Sequence, residues 1–459
     1  MDASFSDPDR HPFLSRPHRT LVALSVPAFV SQIAVPLTDL ADLAFVARLG
    51  SEAASALGAA TAILSGFVWV LFFLAVGTHT EVAQANGAGD HDRAKCAAGV
   101  ALALAVILGT LVAILLVPFK APLMEFMGAR DGIHTAAVDY LRIRLFGLPA
   151  SLVMGVAFGV MRGYQDMKTP AWISIITNAL NIALDPLFIW GAGPIPAWGI
   201  AGAAGASVVS HWLAAIWTVV SLRRRVGWSR ARSMRMVGRL FLIGRDLLIR
   251  AGLMNLFLLM TTRMATTIGP EAGAAHLAVT RVWSFTAFFL DAFAYAAQSL
   301  VGFFVGAKRI VQARRVASVS TWWSLGAGVA LAVALFLLEP IVRRGLVPPE
   351  AWPLFGAAWT VSALTQPINS ISFITDGIHW GTGDYFYLRN ATVVSVGLGL
   401  LALFLVRPDS ENALVQLWLV TGLWITARGI LGVIRVWPGI GHAPLALELV
   451  SPAETTREG

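Results

Sequence analysis

The chain alternates between long apolar runs and short polar breaks. Crossing a bilayer takes about 20 apolar residues in a helix rising 1.5 Å each. The pattern predicts twelve such spans, at 20–47, 53–80, 96–118, 136–162, 169–191, 198–222, 244–268, 273–305, 316–339, 351–380, 385–406 and 412–436. Glycine, proline and charge mark the breaks, as in GAGDHDR at 87–93, GYQDMK at 163–168 and LVPPE at 346–350. The runs are too long for the alternating ten-residue strands of a membrane barrel. The expected fold is therefore all-α and polytopic. Residues 1–19 are polar, and the run after them exceeds the 7–15 residues of a signal-peptide core, so the first span should be retained. Residues 1–19 and 437–459 read as disordered tails.

Composition agrees: 57% of the 459 residues are hydrophobic and 13% charged, against about 25% charged in soluble domains. The single Cys96 excludes an intramolecular disulfide and a cysteine-based metal cluster. The net charge of +8 is a topology signal rather than a nucleic-acid footprint. With a cytoplasmic N-terminus, the outer loops hold only Arg48, Lys120, Arg130, Arg343, Arg344 and Arg407, whereas nine arginines lie between Arg223 and Arg250 alone. Both ends are expected inside, with no nucleic-acid partner.

An internal repeat organises the spans. RLGSEAASALGAA at 48–60 pairs with TIGPEAGAAHLAV at 267–279, offset by 219; NGAG at 86–89 pairs with VGAK at 305–308; RGYQD at 162–166 pairs with WGTGD at 380–384, offset by 218. Two six-helix halves follow, 20–222 and 244–436, joined by a basic linker at 223–243. An even number of spans per half implies parallel halves related by a pseudo-two-fold axis along the membrane normal, with substrate bound near the midplane between them.

The polar residues inside spans are the candidates for chemistry, because a carboxylate at mid-bilayer costs on the order of 2.5–3.5 kcal/mol. Span 1 carries Gln32, Asp39 and Asp42 on one face, with Pro27 and Pro36 in the same run. Span 5 carries Ser174, Asn178, Asn181 and Asp185 within about a 60° sector, with Pro186 next. Amides around a carboxylate suit a proton or a small cation. The alternative for the asparagines is polar glue between helices, and for Asp39 a position at a cavity mouth. Under the repeat, Asp42 falls opposite Thr261 and Asp185 opposite Leu403, so the coupling site is expected in the first half.

Other charges rank lower. Asp139 and Arg142, three apart, are expected to pair. Arg263 and Arg281 are expected to snorkel or pair across the bundle. Asp291 is the candidate for a second polar site, and Asp376 for a gate or loop contact. Met260 stands for the Met- and aromatic-rich spans 7 to 10, which suit a pocket for flat or cationic compounds but also ordinary core. The histidines lack metal-ligand spacing. No Walker A, GxSxG or HExxH motif appears, so no enzyme is expected and uphill work would draw on an ion gradient.

TDLADLAFVARLG at 38–50, the GAG loop at 87–89, MRGYQDMKTP at 161–170 and NIALDPLFI at 181–189 together resemble the multidrug and toxic compound extrusion (MATE) family, most of all its DNA-damage-inducible F branch. The resemblance covers about residues 20–436. It implies a V-shaped antiporter of the inner membrane that exports small organic compounds, often cationic or aromatic, in exchange for H⁺ or Na⁺, with no other cofactor. It assigns the cation site to Asp42, Asn181 and Asp185, the helix 1 kink to Pro27, and a cavity position to Ser207 in GIAGAAGAS. Asp42, Asn181 and Asp185 also suit Na⁺. The second-half loop HWGTGDYFYLRN departs from the family pattern, which favours protons. The expected mechanism is alternating access, in which protonation of Asp42 and Asp185 releases substrate outward. A lipid-intermediate flippase of the same superfamily is the alternative. Membrane lipids are the expected surroundings, and a monomer the expected state.

Overall fold

The computed structural model describes residues 7–227 and 233–446. It is helical throughout, with no β-strand among the described residues. The helices are α1 (Pro12–Ser15), α2 (Pro17–Val46), α3 (Ser51–Leu71), α4 (Phe73–Gly87), α5 (His91–Leu116), α6 (Lys120–Phe126), α7 (Asp131–Leu145), α8 (Leu148–Gly163) and α9 (Lys168–Trp190). They continue as α10 (Ile200–Val226), α11 (Met234–Ile268), α12 (Pro270–Gly306), α13 (Ile310–Leu346), α14 (Trp352–Leu364), α15 (Gln366–Thr382), α16 (Tyr385–Leu403) and α17 (Ala413–Val436).

Among the described residues nine helical stretches are long and apolar enough to cross a membrane alone, and the α7–α8 pair, bent by 49°, makes a tenth. The other two predicted spans correspond to α11 and to α14–α15. Both are less apolar for a visible reason: α11 carries Arg245, Asp246, Arg250 and Arg263, and α15 carries Asn369, Asp376 and His379. The chain is an all-α polytopic membrane protein.

Three predicted spans are each divided in two. Span 2 becomes α3 and α4, meeting at Phe72; span 4 becomes α7 and α8, meeting at Phe146–Gly147; span 10 becomes α14 and α15, meeting at Thr365. Pro149 and Pro367 stand in the first turns of α8 and α15, where a proline's missing N–H costs nothing. Pro27 and Pro36 both lie inside α2, which is a single helical stretch from Pro17 to Val46.

The chain divides into two compact units. One is Val26–Gly244; the other combines Asp7–Ser25 with the residues from Arg245 onward. Each unit thus contains the opening stretch of the other half's first helix. In the second unit His11 packs at 4.9 Å from Phe303 and 5.2 Å from Phe304, and Phe13 is fully buried. The expected N-terminal tail is therefore structured from Asp7, because burying these aromatic rings offsets the cost of ordering the segment. At the other end Arg314 donates to the carbonyls of Leu445 and Trp437, and Ala443 and Leu445 are buried, so residues 437–446 are held as well. In the first unit α11 begins at Met234, inside the expected linker, and Arg239 pairs with the buried Glu81. Residues 228–232, the middle of that linker, lie outside the described residues, as do 1–6 and 447–459.

The repeat is visible in the packing of each unit. Gly159 on α8 and Gly377 on α15 stand 218 positions apart, and a Cβ on either would strike the backbone carbonyl of Ala75 or Ala294, themselves 219 apart. Gly163 and Gly381 repeat the pattern, facing Val82 Cβ at 2.7 Å and Val301 Cβ at 3.0 Å. Backbones this close leave no room for a methyl group, as small residues allow in membrane bundles. Gly377→Ala is expected to destabilise the protein by about 1–3 kcal/mol, the usual cost of overpacking. A lowered thermal midpoint in detergent would show it, with exposed Gly326→Ala as the comparison.

Candidate cation site in the first unit

α2, α9 and α10 each bring polar residues to one place. On α9 the spacing of Ser174, Thr177, Asn181 and Asp185 puts all four on a single buried stripe. Asp185 is fully buried and Asp42, from α2, nearly so. The carboxyl groups of these two residues face each other as direct neighbours. Asn181 lies beside them. With its amide turned so that donors meet acceptors, Nδ2 donates to Asp42 Oδ1 at 3.0 Å and Oδ1 accepts from the Ser207 backbone N–H at 3.2 Å. Ser207, buried on α10, closes the group. Gly202 on the same helix permits this approach, since a Cβ there would strike the backbone of Phe188 on α9.

Both oxygens of Asp185 are buried, and among the described residues no donor reaches either of them. An acceptor-only carboxylate with only another carboxylate in front of it is incomplete. A proton or a cation between Asp42 and Asp185 would complete it.

The other predicted residues sort around this core. Asn178 is half-buried on the α9 stripe, its Nδ2 buried without an acceptor. Asp39 is exposed, one turn before Asp42, and Gln32 half-buried further down α2. Asp291 and Met260 belong to the second unit, where Met260 packs against the apolar core and Asp291 lies within electrostatic reach of Arg428. Asp139 and Arg142, expected to pair, are both exposed and form no ion pair. Three and four residues apart are the favourable spacings, but two solvent-facing side chains gain little by closing. Arg263 and Arg281 are likewise exposed, and among the described residues neither forms an ion pair. Among the described residues no three His, Cys, Asp or Glu side chains cluster as a metal site would require.

The second unit shows what became of the equivalent position. Thr261, opposite Asp42, is buried and spends its hydroxyl on the carbonyl of Leu258. Leu403, opposite Asp185, belongs to the apolar core. Gly399 stands opposite Asn181, and a Cβ there would lie 2.6 Å from the ring of Phe257. That ring packs on Trp424 at 4.6 Å between centroids. An aromatic pair fills the space that carboxyl and amide groups occupy in the first unit.

The charge in the second unit lies elsewhere. Asp376 on α15, expected at a gate or loop, is buried between Arg250 of α11 and Arg428 of α17; the Arg428 contact is 2.8 Å. The two guanidinium groups also lie over Trp380, Trp424 and Phe373 at 5.0–5.8 Å. Arg250 and Arg428 are thus interior residues rather than topological charges. Sequence spacing had no means of finding this triad, whose members come from three helices. Arg144, on the last turn of α7, also escaped notice; its only signal was a charge within a span.

Two units built on one repeat, with buried carboxyl groups open in one and locked in the other, define a membrane carrier rather than an enzyme. The repeat also appears in comparison with known proteins: the MatE family profile matches residues 27–187 and again 248–405. The chain belongs to the MatE family of membrane transporters. It is 27% identical to the DNA damage-inducible protein F of Escherichia coli over 93% of both chains, and 28% identical to Protein DETOXIFICATION 44, chloroplastic, of Arabidopsis thaliana over 92% of this chain and 84% of that one. A probable multidrug resistance protein NorM of Deinococcus radiodurans is 30% identical over 83% of this chain and 87% of its own. In fold the chain is similar to a crystal structure of MATE in the bent conformation, with a TM-score of 0.85 at 21% identity, covering 95% of this chain and 97% of that one.

Proposed function

We propose that this transporter exports small organic compounds, often cationic or aromatic, across the inner membrane in exchange for protons, with both termini on the cytoplasmic side. The observation that carries this reading is the pair Asp42 and Asp185, face to face, with both Asp185 oxygens lacking a donor. Two ionised carboxylates in contact repel, so the pair holds either a proton or a cation, and each excludes the other. That exclusion is the coupling an antiporter needs: proton and cargo favour different states of one carrier. The relatives named for multidrug resistance support the cargo class.

The amide geometry favours H⁺ over Na⁺. Asn181 presents its NH₂ to Asp42 and commits its oxygen to the Ser207 N–H. The amide therefore offers the pair a donor, whereas Na⁺ as a hard cation wants oxygen ligands. In the proposed cycle, protons arriving from outside neutralise the pair and release cargo outward; the protonated carrier turns inward, loses its protons and reloads.

The test is dye-driven pH change in proteoliposomes, with and without Na⁺, for the wild type and Asp42→Asn. Dye-dependent proton movement that ignores Na⁺ and disappears in the variant is expected. Movement that requires Na⁺, or survives in the variant, would overturn the assignment.

A further inference from the structure

The break between α7 and α8 is fastened to α10 beside the cation site. Trp212 Nε1 donates to the carbonyl of Phe146 at 3.0 Å, and Ser151 Oγ lies 2.9 Å from His211 Nδ1. Gly147 packs so tightly that a Cβ there would sit 3.2 Å from Val208, the neighbour of Ser207. One turn before Arg144, Tyr140 is fully buried in the core cluster that includes Val46 and Ile189, from the ends of α2 and α9. Helix α7 is thereby held beside the ends of α2 and α9 that follow Asp42 and Asp185, with Arg144 one turn on from Tyr140.

Arg144 acts electrostatically on Asp39, Asp42 and Asp185, and on His211 across the break. Yet among the described residues it forms no ion pair with any carboxylate, and its Nε is buried without an acceptor. The contrast with Asp376, clamped by two arginines in direct contact, shows what a neutralised carboxyl group looks like in this protein. Arg144 stands off instead. It lowers the attraction for positive charge without occupying the place where charge would bind.

We propose that Arg144 is a specificity-determining residue of the acidic site, a stand-off cation that weakens its hold on cationic cargo enough for protonation to release it. The inference rests on the export reading above. A unit charge acting over about 8–10 Å at an effective dielectric near 20 changes the occupancy of a monovalent cation roughly 15- to 30-fold. It leaves an uncharged ligand alone.

The experiment measures, in the full-length protein, the affinity for ethidium as a monovalent cation and for an uncharged dye of similar size. Arg144→Gln is expected to bind ethidium roughly 15- to 30-fold more tightly, with the uncharged dye unaffected. Arg144→Lys, which keeps the charge, should restore the wild-type ratio of the two affinities. Arg144→Met, which keeps the apolar stem, repeats the measurement if the glutamine variant fails to fold. Unchanged or weakened ethidium binding, or equal changes for both dyes, would overturn the proposal. Asp42→Asn in the wild-type background separates the two ideas. If it leaves ethidium binding and transport intact, the site assignment fails, whatever Arg144 does.

Discussion

Asp185→Asn is expected to lower dye-driven proton flux about 100-fold while leaving thermal stability unchanged or raised. The amide keeps the size of the carboxyl group and imitates its protonated form permanently, so the site can no longer alternate between proton and cargo. Removing one member of a buried charged interaction costs about 2–5 kcal/mol, and a factor of 100, about 2.8 kcal/mol, falls in the lower part of that range. Stability should not suffer, because the wild-type oxygens of Asp185 receive no hydrogen bond from any protein donor and face another carboxyl group. Flux and unfolding midpoint measured on one preparation decide the matter: flux retained within a few-fold would remove Asp185 from the coupling site.

The same substitution at Asp376 should do the opposite. Asp376 compensates two buried guanidinium groups at once, and Asp376→Asn leaves both without a counter-charge. Breaking a buried ion pair from one side costs about 3–5 kcal/mol. A marked fall in the thermal midpoint is therefore expected. Replacing all three members with Met, Leu and Met at positions 250, 376 and 428 should recover most of the loss, since the desolvation cost disappears along with the attraction. Should Asp376→Asn melt like the wild type, the triad contributes nothing to stability.

These paired outcomes mark the limits of reading charge from sequence. Periodicity placed Asn181 and Asp185 on one face of α9 because helical spacing is a local property, and the repeat offset sets Thr261 and Leu403 against the two aspartates. Asp376 resembled Asp42 in sequence, a lone acidic residue in an apolar run. Its partners, Arg250 and Arg428, are 126 and 52 positions away, and no spacing rule reaches that far. Arg250 had been counted among the topological charges for the same reason. The breaks at Phe72, Phe146 and Thr365 were equally hidden, since an apolar run gives one signal whether its helix is continuous or jointed. The first 19 residues were misread from their polarity: Phe13 and His11 are a small minority there, and the α12 rings that receive His11 lie nearly 300 positions further along the chain.

That separation along the chain sets an order of events during synthesis. Phe303 and Phe304, which receive His11, leave the ribosome some 290 residues after it. At roughly 5–20 residues per second the opening segment waits on the order of fifteen seconds to a minute for its partner. A fragment ending at Gly227 would carry Phe13, fully buried in the whole protein, without the Phe304 ring that packs against it. The first half of this transporter is thus an unfinished body until the second is made, although each half descends from the same repeat.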